Sequence, residues 1–176
     1  MYLFRRGRSG KYNAQLLGSG SILREVIKAA DILERDYSVS CTVWSATSFT
    51  ELQRDGVAAE RYNRLNPDAD QQVPWVEQCL EGYQGPVIAA TDYVRAYAEQ
   101  IRPYLPQSDY TALGTDGFGR SDTRENLRRF FEVDSKNVVY ATLHALYEKG
   151  DLTVDALLKA RKNLGLDPDK PNPMTV

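Results

Sequence analysis

The sequence contains few of the residues that usually build metal sites or nucleophilic centres. It has one histidine, His144, and two cysteines, Cys41 and Cys79, among 176 residues. The cysteines are far apart and lack the paired spacing of a zinc site, so we expect reduced thiols, with a structural disulfide as the less favoured alternative. No neighbour of His144 in sequence completes a metal pair or a nucleophile–base pair, and we expect this side chain on a helix surface. The sequence therefore predicts no catalytic, cofactor-binding or metal-binding residue.

Excess positive charge and long apolar runs are also missing. The chain has 22 Lys and Arg against 24 Asp and Glu, for a formal net charge of −2. No global positive field would collect nucleic acid or anionic lipid. No apolar run approaches the ~20 residues that span a bilayer, and the first six residues lack the apolar core of a signal peptide. We expect a cytoplasmic protein with neither a nucleic-acid nor a membrane partner.

Short apolar strands alternate with amphipathic helices along the chain. Strands are predicted at residues 12–17, 39–45, 87–90 and 110–113, and helices at about 22–33, from Phe49, 74–80, from Asp92 to before Pro103, from Asp122, from Asp134 to near Gly150, and from Thr153. Parallel strands need crossover helices. The pattern thus predicts one α/β domain over residues 1–176, a three-layer α/β/α sandwich with a mostly parallel sheet, ending in an irregular tail at 166–176.

A glycine-containing turn, Gly18-Ser19-Gly20-Ser21, follows the first predicted strand. In a doubly wound fold this is the place of a phosphate-binding turn, because helix N-termini offer unpaired N–H groups. The segment lacks the third glycine of the dinucleotide fingerprint and a P-loop lysine. We therefore interpret it as a tight turn, with nucleotide binding as the less favoured alternative.

Residues 114–121 form the least ordinary segment, with three glycines, two of which flank an aromatic residue. Three arginines then recur every four residues and could form a basic stripe for a phosphate or an acidic partner. The favoured alternative is a solvated face on which Asp122 and Glu125 balance the arginines and Glu125 is well placed to pair with Arg129. The candidate interaction residues of this loop and the following helix are Asp116, Phe118, Arg120, Asp122, Arg124 and Arg128.

Several segments together resemble the C-terminal domain of the homodimeric, thiamine-diphosphate-dependent pyruvate dehydrogenases of bacteria. They are residues 15–24, 47–52, 54–56, 91–93, 113–122, 124–128 and 131–134. The last residues also resemble the end of that family's chain, whereas the first three resemble a point deep inside it. A match of this length and order is more specific than a single glycine motif, and the chain resembles an excised domain.

The resemblance implies a transketolase C-terminal-like fold, and it implies that the catalytic chemistry is carried by domains that this sequence lacks. Members of the family bind thiamine diphosphate and magnesium in two preceding domains, decarboxylate pyruvate and reductively acetylate lipoyl groups. The family's Gly-Asp-Gly to Asn-Asn cofactor motif does not occur in this sequence. We therefore expect a non-catalytic domain that contributes to dimer packing and complex assembly. Its expected partners are the other domains, the second subunit and the dihydrolipoyl acyltransferase component.

Two other functions are possible interpretations of the same residues. One is a regulatory or partner-binding module that uses the 114–121 loop and its arginines to hold an anion or an acidic patch. The other is a free-standing small α/β enzyme. The lack of a nucleophile, metal or cofactor constellation makes the enzyme the least favoured of the three.

Overall fold

The computed structural model describes residues 1–106 and 109–176 and confirms the α/β/α sandwich. The strands are β1 (Tyr2–Arg5), β2 (Tyr12–Gly18), β3 (Val39–Ser45), β4 (Val87–Ala90) and β5 (Tyr110–Leu113). The helices are α1 (Leu23–Asp36), α2 (Phe49–Leu65), α3 (Trp75–Leu80), α4 (Arg95–Glu99), α5 (Arg124–Phe130), α6 (Ser135–Glu148) and α7 (Val154–Leu164), with 3₁₀ turns at Gly20–Ile22 and Arg102–Tyr104. Residues 166–176, all of them described, contain no helix or strand.

The strands form one five-stranded sheet in the order β1-β3-β2-β4-β5. The pairs β2–β3, β2–β4 and β4–β5 are parallel, as the alternation of strands and helices predicts. Strand β1 was not predicted; it pairs antiparallel with β3 at the sheet edge, where Tyr2 is opposite Ser45. The antiparallel direction places Met1 at the same end of the sheet as the carboxyl end of β3.

Each face of the sheet is covered by its own apolar core. Leu16, Val43 and Ile88 point to the layer formed by α1, α6 and α7. Leu17 and Trp44 point to the opposite layer, formed by α2, α3 and α4. Side chains alternate along a strand, so a sheet that is covered on both faces needs nearly continuous apolar strands. This explains why the central strands carry so little polar sequence.

The helix N-termini show where local capping signals succeed and where they fail. Ser48, Asp134 and Thr153 accept hydrogen bonds from the backbone three residues later, as their positions indicate. The predicted cap at Asp92 is wrong, because α4 begins only at Arg95. The cap of α5 is Thr123 instead of the predicted Asp122, because Thr123 Oγ1 accepts the N–H of Asn126 at 3.3 Å.

The single histidine and the two cysteines lie apart from one another in the fold. Cys41 is buried in β3 and Cys79 is half-buried on α3, and both are free. His144 lies on the exposed face of α6 with Glu148 one turn away, at 3.7 Å. Across the described ranges, no helix is long and apolar enough to cross a membrane.

Candidate functional site

The carboxyl ends of β2, β3, β4 and β5 meet at one edge of the sheet. In open parallel sheets, ligand crevices lie at this edge, between two adjacent strands whose following connections go in opposite directions. Here these strands are β2 and β4, because the chain passes from β2 to β3 on one side and from β4 to β5 on the other. The crevice therefore lies between the loops that follow β2 and β4, and the 114–121 loop follows the next strand, β5.

Hydroxyl groups bridge the two loops across the crevice. Ser19 Oγ donates to Thr91 Oγ1 at 2.8 Å, and Thr91 is fully buried. Ser21 Oγ donates to Asp92 Oδ2 at 3.2 Å. Gly20 has a φ of 51°, the left-handed region that glycine adopts readily. The segment is a tight turn, as predicted, and its hydroxyl groups hold the two loops together.

The 114–121 loop is joined at its base to the segment that follows β4. Thr115 donates through its N–H to Tyr93 O at 2.9 Å and through Oγ1 to Asp92 O at 2.6 Å. An ideal Cβ at Gly114 would overlap the backbone of Arg95, so only glycine fits this close approach. As expected, the loop lies at the carboxyl end of a sheet strand.

Asp116 is the residue that caps α4. Its Oδ1 accepts the N–H of Arg95, the first residue of α4, at 2.8 Å, and its Oδ2 lies 3.5 Å from Arg95 Nε. A carboxylate at a helix N-terminus satisfies an orphan donor and faces the positive end of the helix dipole. Asp116 thus fixes α4 from a loop 21 residues away, in the role that the sequence pattern assigned to Asp92.

The tip of the loop exposes an aromatic ring. Gly117 has a φ of 122° and packs so closely against Pro173 of the C-terminal tail that a Cβ would overlap its carbonyl oxygen. Phe118, the next residue, is 75% exposed. Gly119 is in open space. The loop therefore carries an exposed phenyl ring on a backbone that the tail holds on one side.

Arg120 and the tail both contact one phenylalanine of α5. The Arg120 guanidinium lies 4.3 Å above the centre of the Phe130 ring, and Lys170 Nζ lies 5.5 Å from it. Lys170 also donates to Phe130 O at 2.6 Å and to Glu132 Oε1 at 2.9 Å. Cation–π contacts at exposed sites contribute about 0.5–1 kcal/mol. The loop, α5 and the tail are thus one packed unit.

Asp122 closes the loop at the start of α5. Its Oδ1 accepts from Asn126 Nδ2 at 2.8 Å and from the N–H of Thr123 at 2.6 Å. The hydrogen bond from the Asn126 amide, followed by that from the Thr123 backbone, lowers the pKa of the exposed Asp122 carboxyl below its ordinary value. Asp122 therefore stays ionised and holds the first turn of α5.

The structure does not form the basic stripe that the spacing of the arginines allowed as an alternative. The helix begins only at Arg124, which is exposed, so Arg120 lies in the loop and off the helical repeat. Arg128 is turned inward: its side chain is 15% exposed and its Nη1 lies 2.9 Å from Glu25 Oε1. The stripe hypothesis is wrong for Arg128, because the buried carboxylate of Glu25 on α1 binds it. The alternative pairing of Glu125 with Arg129 is also wrong, because Arg129 donates instead to Asn126 at 3.4 Å.

Sequence reasoning missed two groups near the loop. One is Glu25, whose Oε2 also accepts the N–H of Ser135 at 3.1 Å, so it links α1 to both α5 and α6. The other is the pair of exposed rings of Tyr93 and Tyr97, packed edge to face 5.9 Å apart. Neither group has a local signal in the sequence, because Tyr93 precedes the first residue of α4 and Glu25 is separated from Arg128 by 103 positions.

Several clefts open at this edge of the sheet. One, of about 420 Å³, is lined by Ser19, Gly20, residues 47–50, Tyr93 and Tyr97. Another, of about 360 Å³, lies between the end of β5 and the tail. Within residues 1–106 and 109–176, no group of three or more His, Cys, Asp or Glu side chains is placed to hold a metal ion. The edge presents hydroxyls, exposed aromatic rings and loops that are fixed by hydrogen bonds.

The chain resembles known proteins along nearly its whole length. It is 51% identical over 175 residues to the pyruvate dehydrogenase E1 component of Pseudomonas aeruginosa, which covers 99% of this chain and 20% of the relative. It is 53% identical over 178 residues to the pyruvate dehydrogenase E1 component of Cupriavidus necator, covering 100% of this chain and again 20% of the relative. The chain thus spans about a fifth of the length of these curated relatives.

The fold agrees with these sequence relationships. A transketolase from Campylobacter jejuni superposes with a TM-score of 0.52 at 21% identity, over 81% of this chain and 18% of that one. At this level of identity the likeness concerns the fold alone. Residues 1–134 match the family model described as the transketolase-like TK C-terminal domain. Because that model covers most of the sequence, the chain belongs to the transketolase-like TK C-terminal domain family.

Proposed function

We propose that residues 1–176 form the non-catalytic C-terminal domain of a pyruvate dehydrogenase E1 component. The observation that supports this proposal is the identity of about one half with the Pseudomonas aeruginosa E1 component across 99% of this chain. The second relative, the Cupriavidus necator E1 component, agrees to a similar extent over 100% of this chain. The domain's role is to pack against the other domains and the second subunit and to assist assembly with the dihydrolipoyl acyltransferase component.

In this proposal the chemistry belongs to the part of the polypeptide outside these residues. That part would bind thiamine diphosphate and magnesium, decarboxylate pyruvate and transfer the acetyl group to a lipoyl group. The proposed protein is cytoplasmic. The fixed loops of this domain at the edge of the sheet then serve contacts, since loops on a rigid scaffold commonly carry binding residues.

A chimeric enzyme tests the proposal. This chain would replace the matching fifth of the Pseudomonas aeruginosa E1 component, and the chimera would be assayed for pyruvate-dependent NADH formation in the reconstituted complex. We expect the chimera to dimerise and to retain activity within roughly tenfold, about 1.4 kcal/mol of the activation barrier. A folded, soluble chimera without activity would contradict the proposal.

A second candidate role, binding of an anion or an acidic partner by the loop and α5, is favoured by two arginines. Neither Arg120 nor Arg124 has a carboxylate partner within the described part of the chain. If Arg120 binds a partner, Arg120→Ala should reduce stability by at most about 1 kcal/mol, the loss of its ring contact. The same change should weaken assembly by about 1–3 kcal/mol, the scale of charge-assisted hydrogen bonds.

Paired measurements of thermal unfolding and complex assembly check this second role. Arg128→Ala is the matched control, because Arg128 is bound inside the protein by Glu25. The control should lower stability while leaving the assembly affinity of the folded protein unchanged. Loss of stability in Arg120→Ala with unaltered assembly would leave that arginine a purely structural role.

A further inference from the structure

Large apolar side chains are exposed together at the carboxyl edge of the sheet. Phe118 and Tyr93 are 75% and 66% exposed. Val94, Tyr97 and Met174, on the same segments or on the neighbouring tail, are also exposed. We call these five residues the aromatic edge patch. Single exposed apolar residues are ordinary, but a contiguous group on one surface marks a contact with another apolar surface.

The members of the aromatic edge patch come from three separate segments that meet. Val94 and Met174 line one open cleft together with Gly117, the residue before Phe118. Tyr93 and Tyr97 pack edge to face and line the neighbouring cleft beside residues 47–50. The segments that carry the five residues therefore meet at one edge of the sheet.

The patch is also held in a fixed shape before any partner binds. Thr115 joins the 114–121 loop to Tyr93 by a backbone hydrogen bond of 2.9 Å, and Asp116 caps α4, which carries Tyr97. The backbone of Gly117 is in contact with Pro173, next to Met174. A preformed apolar surface loses little conformational entropy on binding, which favours stable association.

The start of the chain lies at this same edge. Because β1 runs antiparallel to β3, Tyr2 pairs with Ser45, the last residue of β3. Trp75 Nε1 donates to Met1 O at 3.0 Å and holds the first residue in place. Strand β1 is three inter-strand spacings from β4, or roughly 14 Å. A segment that preceded Met1 would thus reach the sheet close to the aromatic edge patch.

We infer that the aromatic edge patch is the docking surface for the part of the same polypeptide that precedes Met1. This inference rests on the proposed function, in which the chain is the last fifth of a longer protein. The covalent connection at the same edge makes the contact intramolecular, so the preceding part is present at high effective concentration. Buried aromatic anchors commonly supply most of the binding energy of such contacts.

Photo-crosslinking in the full gene product tests the inference. A benzophenone amino acid would replace Tyr97 or Phe118, and cross-linked peptides would be identified by mass spectrometry. Leu158 on α7 is the matched control, because it is 45% exposed, close to the 42% of Tyr97, but lies on a helix outside the patch. We expect positions 97 and 118 to form cross-links with residues that precede Met1. Position 158 should form no such cross-links.

Isotope labelling separates the alternatives. A mixture of labelled and unlabelled protein would reveal cross-links between two copies of the protein. If cross-links between copies replaced the intramolecular cross-links, the inference would be overturned. A longer gene product whose positions 97 and 118 give no cross-link would overturn the inference and leave the proposed function intact. A gene product no longer than this chain would overturn the proposed function itself.

Proteolysis of the intact protein gives a second test. Tyr97→Ser should raise the rate of protease cleavage between this domain and the part that precedes Met1 roughly tenfold, the effect of losing one interface anchor.

Discussion

The ion pair between Glu25 and Arg128 offers the sharpest test of how the domain is held together. It connects α1 to α5, the helix that follows the 114–121 loop, across 103 residues of sequence. The side chains of Glu25 and Arg128 are 8% and 15% exposed. We predict that Glu25→Ala destabilises the domain much more than the loss of a surface carboxylate would.

The expected cost follows from the partners of Glu25. The substitution removes the acceptor of Arg128 Nη1 at 2.9 Å, of the Ser135 N–H at 3.1 Å and of Lys28 Nζ at 3.2 Å. Lys28 is exposed, so its share is at most about 1 kcal/mol. Removing one partner of a buried pair typically costs about 3–5 kcal/mol, because the remaining charge is left uncompensated. We expect about 3 kcal/mol, the lower end of that range, because Arg128 keeps its hydrogen bond to Ser21 Oγ.

Thermal and urea unfolding of the domain measure this loss. In a domain of this size, about 3 kcal/mol lowers the Tm by roughly 6–12 °C. Asp31→Ala is the matched control, because it removes the carboxylate of the exposed pair between Arg5 and Asp31, which lie 2.7 Å apart. That change should cost less than about 1 kcal/mol.

A double-mutant cycle identifies the cause of the loss. If the pair is the origin, Glu25→Ala and Arg128→Ala are strongly non-additive, with a coupling free energy of about 1–3 kcal/mol. Equal and small effects of Glu25→Ala and Asp31→Ala would refute the reasoning. So would full additivity of the two changes in the cycle.

The remaining predictions concern the loop, the thiols and the cofactor. Gly117→Ala should cost about 2 kcal/mol of unfolding free energy, because the φ of 122° and the contact with Pro173 both exclude a Cβ, whereas Gly119→Ala should cost less than about 0.5 kcal/mol. Burial raises the pKa of the Cys41 thiol, so a thiol reagent should label Cys79 first and Cys41 only on unfolding; equal labelling rates in the folded protein would contradict this. Calorimetric titration of the isolated chain should give no saturable heat at micromolar thiamine diphosphate or magnesium. Clustered carboxylates are needed to hold the ion, and the described residues contain no such cluster.

Local patterns predicted the elements whose neighbours in sequence are also their neighbours in space. Strand β3 extends from Val39 to Ser45, as its run of β-branched residues indicated. The cap at Asp134 is likewise set by residues of the same turn. Strand β1 was missed because a four-residue edge strand is stabilised by a partner about 40 residues later in the sequence, Trp44 opposite Leu3, and local composition does not specify such a pairing.

The candidate site was predicted only in part, because long-range contacts decide the orientation of its side chains. The position of the loop after β5 followed from the alternation of strands and helices. The role of Asp116 depends on Arg95, and that of Arg128 on Glu25. The periodicity of the arginines indicated a shared helix face, but Arg120 precedes the first turn of α5. A spacing of four residues indicates a shared face only inside a helix.

The intact mass of the natural gene product tests the central claim most directly. The protein would be isolated from the source cells with an antibody against this chain and weighed by mass spectrometry. The chain weighs 19.9 kDa and spans 20% of its Pseudomonas aeruginosa relative, so the account predicts a polypeptide about five times heavier, near 100 kDa. A mature product of 19.9 kDa, translated from a reading frame that begins at Met1, would contradict the assignment to a pyruvate dehydrogenase E1 component.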